Sequence, residues 1–535
     1  MKNINNQKFN LLHFSAISAM AFGLFLTATS CSGDTGEKPV GALVESETPT
    51  ANIEEATPTQ TPTPAPTPKP ATTPTLGENP GSSGLGDPYF PTLGNGGYDV
   101  EEYDLQLLWD PGSKYLVGEA TITAKIVEDL TSLNLDLSGM TVTSVKFEGS
   151  NLDFFREDNE LIIVFQQPVV KGTMAALEIS YQGFPGLVEN LNLPHSGGWF
   201  NTENMFYVSG EPSSSQAWHP VNDHPDDRAQ FRIEFTAIPL VEARTWNWEF
   251  VTNGFLVEKT ESDVDKSITW IYETRYPRAP YLTVLAYGIF KESEAVTLGD
   301  VHLRHWAESP PLPSDIFEAG VETFGHDYHA MFEVFTNLFG PYPFDTYGYL
   351  VLNETLGYAL ETQTLSIFGY DTYQEPNIHV HELAHQWFGN HITVGDWSNI
   401  WLNEGFATYA EYLFLEESVP SFSIDDSFFI PMYELVEQGN TFFTQPPPGD
   451  PGRDNLFSAS VYFRGAMTLH ALRLTIGDAL FFDSIRGYVE QYGGQSATTN
   501  DFIQLVEEAT GSDLEEFFNG WLFQDNLPPL QELYD

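Results

Sequence analysis

The sequence contains a single cysteine, Cys31, among its 535 residues. An internal disulfide needs two cysteines, so no disulfide can join two parts of this chain. Its folded parts must therefore be stabilised by burying apolar side chains, and an aromatic content of 14% allows sizeable cores. The chain is too long for one ordinary domain and long enough for two or three.

Positive charge is also scarce. The 22 lysines and arginines face 75 aspartates and glutamates, which gives a net charge of −53 and a pI near 4.2. This balance argues against a nucleic-acid partner, which requires basic patches, and against electrostatic docking on anionic lipid. It favours a well-solvated acidic surface, and recruitment of basic substrates is the alternative interpretation.

Apart from one stretch near the N-terminus, the sequence has no long apolar run. That stretch predicts a signal peptide over residues 1–30. Lys2 and Lys8 precede a short, largely apolar stretch that ends in the small residues Ala28-Thr29-Ser30. The junction before Cys31 resembles the lipobox of bacterial lipoproteins, in which that cysteine is lipidated. We therefore expect an extracytoplasmic lipoprotein that meets the membrane only through an N-terminal lipid anchor. Secretion with an unmodified Cys31 is the alternative.

Three further segments follow. Residues 31–97 are Thr/Pro-rich and then Gly/Ser-rich, which predicts an extended linker. Residues 98–295 contain short β-branched and alternating runs, such as Phe231 to Phe235, and are predicted to form an antiparallel β domain of sandwich or saddle type. Residues 296–535 are mainly helical in pattern and are predicted to form a second domain.

The most specific pattern is His381-Glu382-Leu383-Ala384-His385, followed by Glu404 after eighteen intervening residues. On a helix the two histidines lie one turn apart on the same face, so both imidazoles can bind one ion. A third ligand from a following helix leaves the fourth tetrahedral position open for water, as in catalytic zinc sites. The alternative is that the two histidines only make ordinary hydrogen bonds on a helix. Glu404 argues against it, because it lies in an apolar run where burying an unpaired carboxylate is costly and a metal ion would offset that cost.

These residues resemble the gluzincin zinc aminopeptidases of the aminopeptidase N and leukotriene hydrolase type. Further motifs support the resemblance: Trp218 to Pro225, Phe339 to Phe344, Val461 to Ala466 and Asp513 to Trp521. It implies a multidomain α+β fold, in which an N-terminal antiparallel β-sandwich or saddle domain precedes a thermolysin-like, mainly helical zinc catalytic domain.

The resemblance also implies a role for each matching position. One Zn²⁺ per chain is bound by His381, His385 and Glu404. Glu382 acts as the general base and Tyr462 stabilises the oxyanion. Glu361 and Glu211 hold the α-amine of a peptide substrate.

Departures from the family pattern surround the amine site and leave alternatives open. The usual Gly-Ala-Met-Glu-Asn is here Tyr358-Ala359-Leu360-Glu361-Thr362, and Ser209 stands where glutamine is common. The leading interpretation is a zinc aminopeptidase that cleaves the N-terminal bond of peptides. The alternatives are a zinc endopeptidase or epoxide hydrolase of the same fold, or a catalytically inactive surface binding protein.

Overall fold

The structure is a computed structural model that describes residues 77–188, 197–202, 205–238, 247–293, 296–309 and 328–530. Cys31, the predicted signal peptide and the first part of the predicted linker lie outside the described residues. Within the described ranges, no helix combines the length and the apolar character needed to span a bilayer.

An eight-stranded sheet forms the first layer of the N-terminal half. Its central strands alternate buried and more exposed residues, because one face packs on the core and the other faces solvent. The spatial order is β13-β14-β11-β1-β2-β8-β4-β5, and every neighbouring pair is antiparallel except β1 and β11, which are parallel. These strands are β1 Tyr98–Asp110, β2 Tyr115–Ile126, β4 Thr141–Phe147, β5 Ser150–Asn151, β8 Met174–Gly183, β11 Gln230–Ala237, β13 Phe255–Glu261 and β14 Ile268–Glu273.

A three-stranded sheet in the order β3-β7-β6 shares its core with the large sheet. Leu133 and Ile163 of the small sheet belong to the same buried cluster as Leu105 and Leu177 of the large one. The strands are β3 Leu130–Asp136, β6 Asp153–Glu157 and β7 Glu160–Val169. Two sheets packed on one core confirm the predicted β-rich N-terminal half; the parallel pair β1–β11 was not predicted.

A third sheet connects the two halves of the chain. Its path runs β19-β20-β18-β17-β15-β10-β9, with β12 beside β15 and β16 beside β17. Because β15 pairs with β17, the sheet continues across residue 295, where the sequence suggested a domain boundary. Its strands are β9 Gly198–Asn201, β10 Phe206–Ser209, β12 Trp248–Thr252, β15 Leu285–Glu292, β16 Val296–Leu298, β17 Val301–Glu308, β18 Thr346–Val351, β19 Ala359–Leu360 and β20 Ser366–Phe368. A two-stranded sheet pairs β21 Thr393–Val394 with β22 Ser496–Ala497.

Helices dominate after β20, as the sequence predicts. Residues 328–339 are helical (α1). The others are α2 Pro376–Ala384, α3 Trp401–Ser418, α4 Ile430–Glu437, α5 Ala459–Ile476, α6 Asp478–Tyr492, α7 Thr499–Thr510 and α8 Glu515–Leu522.

Helices α3 and α5 cross at a pair of glycines. A Cβ on Gly405 would lie 2.9 Å from the Cα of Gly465, a distance that carbon atoms do not tolerate. Only glycine at both positions permits this close approach. The crossing places Glu404, one residue before Gly405, near Tyr462, three residues before Gly465.

Residues 87–97, assigned to the linker from sequence, instead include buried residues that pack into the fold. The carboxylate of Asp87 is buried and accepts hydrogen bonds from the backbone N–H groups of Phe90 at 2.8 Å and Trp397 at 2.8 Å. The Tyr89 hydroxyl donates to Asp450 at 2.6 Å. This segment therefore contacts the helical half through specific hydrogen bonds, which its Gly/Ser-rich composition does not reveal.

A buried cluster of histidines and tyrosines packs around His379 of α2. His379 Nε2 donates to the backbone carbonyl of Tyr373 at 2.7 Å, so its Nδ1 accepts from the Tyr328 hydroxyl at 2.7 Å. The His305 ring stacks on Tyr349 with centroids 4.0 Å apart. Burial, and secondly the charge of His379, lowers the pKa of His305 to about 3.

His305 should make the protein less stable as the pH falls. The unfolded chain takes up a proton at this imidazole below a pH of about 6.5, whereas the native state excludes it until about pH 3. Stability that is present above pH 6.5 is thus lost at about 1.4 kcal/mol per pH unit as the pH decreases. Denaturant unfolding of the wild type and of His305→Phe from pH 7 to pH 4.5 should show a smaller acid loss in the variant. Parallel curves for the two proteins would contradict this assignment.

Candidate active site

The two motif histidines approach each other at the C-terminal end of α2. His381 lies in the last turn, and His385 is the C-cap residue with helical angles (φ −56°, ψ −23°). Their ring centroids are 4.6 Å apart. The short helix begins at Pro376, whose fixed φ suits a first helical position.

Hydrogen bonds fix which nitrogen of each imidazole faces the centre. His385 Nδ1 donates to the backbone carbonyl of Phe388 at 3.0 Å, and His381 Nδ1 donates to Glu411 Oε1 at 2.9 Å. Each Nε2 then presents its lone pair towards Glu404 Oε2, at 3.2 Å from His381 and 3.4 Å from His385. Three acceptors that face one another repel unless a cation lies between them.

The spacing of these atoms fits a zinc ion. A tetrahedral ion with bonds of about 2.0–2.1 Å separates its ligands by about 3.3–3.4 Å, which matches the two distances to Glu404. The ligand atoms of His381, His385 and Glu404 all lie within 4.8 Å of one another. His385 and Glu404 are buried, and the His381 side chain is 12% exposed. Burial raises the pKa of Glu404, but the neighbouring imidazoles outweigh that effect and hold it at about 2. When bound, zinc acts as a Lewis acid and lowers the pKa of a bound water from 15.7 to about 7.

Glu382 lies beside the histidines without joining their ligand set. Its side chain is buried, and Oε2 has no hydrogen-bond partner among the described residues. Burial raises its pKa to about 8, and the nearby imidazoles act in the opposite direction. A cation in the centre lowers the pKa of such a carboxyl group, which suits Glu382 to accept a proton near neutral pH.

Tyr462 enters the site from α5. Its ring lies nearly parallel to that of His381, with centroids 6.0 Å apart and an interplanar angle of 22°. Burial, followed by the charges of the surrounding glutamates, raises the pKa of its hydroxyl well above 10, so the group stays protonated and can donate. The structure thus places the Tyr462 ring beside His381, one of the metal-binding histidines.

Two further carboxylates approach the centre from the third sheet. Glu211 follows β10 and Glu361 follows β19, and both have oxygens within 4.8 Å of Glu404 and of each other. In the part of the chain that the structure describes, Glu211 Oε1 and Glu361 Oε1 are buried without a hydrogen-bond partner. Burial is the main cause of the raised pKa of each. The seven predicted residues, which comprise three metal ligands, two catalytic groups and two amine-binding carboxylates, therefore lie close together.

Two amide side chains that the sequence analysis missed hold Glu361 in position. Gln386 Nε2 donates to the carbonyl oxygen of Glu361 at 3.1 Å, and Asn390 Nδ2 donates to the same oxygen at 2.6 Å. The two unusual residues near this segment also contact each other, since the Tyr358 hydroxyl lies 3.3 Å from Ser209 Oγ. Two of the departures from the family pattern, Tyr358 and Ser209, are thus in contact.

Glu411 is the other residue that the sequence analysis missed. Besides accepting from His381, its carboxylate accepts from Asn377 Nδ2 at 3.2 Å. It lies seven residues after Glu404, which is two turns along the same face of α3. A carboxylate in this position fixes the tautomer of a metal-binding histidine and raises its basicity.

Replacing Glu411 by glutamine should weaken zinc binding about 10- to 100-fold, because the amide keeps the shape but removes the charge behind His381. Competition with a chromogenic chelator measures the affinity. Glu417→Gln, an exposed position on the same helix, is the matched control and should bind as the wild type does. Equal affinities for Glu411→Gln and the wild type would show that Glu411 does not support the ligand.

Two parts of the chain match descriptions of known peptidase domains. Residues 99–239 match the Peptidase M1 N-terminal domain, and residues 326–521 match the Peptidase family M1 domain. The second range contains the metal ligands, Glu382 and Tyr462.

Solved structures include a similar chain of nearly the same extent. The M1 zinc metallopeptidase from Deinococcus radiodurans shares 31% sequence identity with a TM-score of 0.74, and the match covers 84% of this chain and 99% of that chain. An aminopeptidase A from Legionella pneumophila shares the fold at 20% identity and a TM-score of 0.65, over 80% of this chain and 49% of that one.

Curated relatives are longer than this chain. Aminopeptidase N of Lactobacillus helveticus is 25% identical over 469 residues, covering 81% of this chain and 51% of the relative. Glutamyl aminopeptidase of Bitis rhinoceros is 24% identical, covering 80% and 46% respectively. The chain spans about half the length of the curated relatives it matches. The two domain matches and the likeness to the Deinococcus enzyme confirm the resemblance seen in the motifs: this chain belongs to peptidase family M1.

Proposed function

We propose that the protein is a zinc-dependent aminopeptidase that removes N-terminal residues from peptides. The observation that carries the proposal is the surplus of buried carboxylates. Glu404 completes the metal site and Glu382 serves as base, which leaves Glu211 and Glu361 with buried oxygens that have no partner among the described residues. The α-ammonium of a peptide offers one positive charge and three donors, and so satisfies both groups.

The arrangement assigns a task to each side chain. Glu211 and Glu361 hold the substrate ammonium, which places the first peptide bond next to the metal ligands. Glu382 accepts the proton of the attacking water and delivers it to the leaving amine. The Tyr462 hydroxyl donates to the carbonyl oxygen as negative charge develops there.

Names of similar proteins support this proposal. The curated relatives are named aminopeptidases, and a variant of the Deinococcus enzyme was solved with a Tyr-Ser-Ala substrate. We propose peptides with an unblocked N-terminus as the substrate class of this chain.

The decisive assay compares matched peptides with free and acetylated N-termini. We expect cleavage of the first bond in the free peptides and little turnover of the acetylated ones, because acetylation removes the charge that Glu211 and Glu361 bind. Equal cleavage of both would indicate a zinc endopeptidase instead. A chain that binds no zinc and remains inert after zinc is added would indicate a binding protein.

We further propose that the mature protein is an extracytoplasmic lipoprotein anchored through Cys31. The support is the N-terminal sequence, in which a short apolar segment and small residues precede the single cysteine. Palmitate labelling in a bacterial host should mark the wild type and not Cys31→Ser. Labelling of the serine variant, or none of the wild type, would contradict the anchor.

A further inference from the structure

A fully buried guanidinium, that of Arg278, has most of its hydrogen-bond donors unused. Arg278 is 0% exposed. Its Nε donates to Thr283 Oγ1 at 2.9 Å, whereas Nη1 and Nη2 have no hydrogen-bond partner among the described residues. Each Nη carries two N–H groups, so four donors are enclosed without an acceptor.

The charge of Arg278 is also uncompensated. Among the described residues no carboxylate forms an ion pair with it. Burial lowers its pKa only to about 9, so it remains cationic at neutral pH. The guanidinium lies over the Phe231 ring, 4.1 Å from the centroid. A cation–π contact offsets only a small part of the cost of an isolated buried charge.

Neighbouring groups do not supply the missing negative charge. His219 Nδ1 donates to the carbonyl oxygen of Pro220 at 2.9 Å, and its pKa is lowered to about 3 by burial and by the charge of Arg278. The imidazole is therefore neutral and adds no charge of either sign. Water molecules could accept from the Nη groups but cannot neutralise them, whereas an anion does both.

We propose that Arg278 holds a small monovalent anion, a halide, against Nη1 and Nη2. A single negative charge balances the single guanidinium, and the complete enclosure of the side chain favours a spherical ion over a large oxyanion. The acidic surface opposes anion entry only weakly, since exposed charges beyond a Debye length of about 8 Å are screened.

The location suggests what the anion does. The Arg278 backbone pairs with Ala229, and the carbonyl of the preceding Pro277 accepts from Arg228 Nη2 at 3.0 Å. Arg228 Nη1 in turn donates to the carbonyl of His391 at 2.7 Å in the helical half. Gln363 Nε2 also reaches the Pro277 carbonyl, at 3.5 Å. An ion on Arg278 therefore stabilises a segment whose Pro277 carbonyl accepts from Arg228, a side chain that also donates to the helical half.

Thermal unfolding in chloride and in gluconate at equal ionic strength tests the proposal with the purified mature chain. We expect a saturable rise in Tm, on the order of 2 °C, with sodium chloride or bromide and none with gluconate, an anion too large to be enclosed. Arg278→Met should lose the halide response. Arg232→Met removes a partly exposed arginine already paired with Asp104 and should keep it.

A crystal grown in bromide provides a second measurement that does not depend on a variant folding. An anomalous peak within about 3.5 Å of Nη1 or Nη2 is the expected result. Water density there without an anomalous signal, or an unchanged halide response in Arg278→Met, would overturn the proposal. Both readouts are independent of peptidase activity, so they remain decisive if the proposed function fails.

Discussion

Replacing Glu382 by glutamine is expected to lower kcat about 100- to 10,000-fold while zinc stays bound. The amide keeps the size of the side chain but can neither accept the proton of the attacking water nor return it to the leaving amine. Glu382 is not part of the ligand set, since the mutual contacts at the centre join His381, His385 and Glu404. Metal binding and turnover should therefore separate in this variant.

Two measurements on Glu382→Gln distinguish an effect on zinc binding from an effect on turnover. Zinc content by atomic absorption should equal that of the wild type, and steady-state assays on a free tripeptide should show the loss in kcat. Glu417→Gln, on the exposed face of α3, controls for the general removal of one negative charge and should remain active. Normal turnover by Glu382→Gln with zinc bound would exclude Glu382 as the base.

The metal centre could be predicted from sequence because local periodicity determines most of it. One-turn spacing brings His381 and His385 together whatever the rest of the fold does. The same reasoning could have identified Glu411, because it lies two turns after Glu404 on the same helix face. That signal was missed since a glutamate on a helix is most often solvent-exposed.

Other features depend on contacts between distant segments and leave no local pattern. Glu211 and Glu361 are separated by 150 positions, and only the family resemblance suggested that they meet. The parallel pairing of β1 with β11 joins strands more than 100 residues apart. Asp87 was assigned to the linker, yet its buried carboxylate accepts a hydrogen bond from the backbone N–H of Trp397. Sequence composition cannot indicate a contact between segments so far apart.

Glu361→Gln should remove most of the preference for a free N-terminus. Truncating one partner of a buried charge pair costs about 2–5 kcal/mol, or roughly 30- to 5,000-fold in kcat/KM for unblocked peptides. Turnover of acetylated peptides should change little, because they carry no ammonium to lose. The ratio of kcat/KM for the free peptide to kcat/KM for the acetylated peptide therefore falls. A general loss of folding or of zinc would lower both values and leave this ratio unchanged.

The structure offers a matched control in the same segment. Glu354→Gln removes an exposed carboxylate seven residues earlier and should keep the wild-type ratio. Gln386 and Asn390 bind the backbone carbonyl of Glu361 rather than its side chain, so the segment should keep its position in Glu361→Gln. If the ratio of free to acetylated peptide were unchanged in Glu361→Gln, the ammonium would have to be held elsewhere. Glu211, whose buried Oε1 likewise has no partner among the described residues, would then be the side chain to replace next.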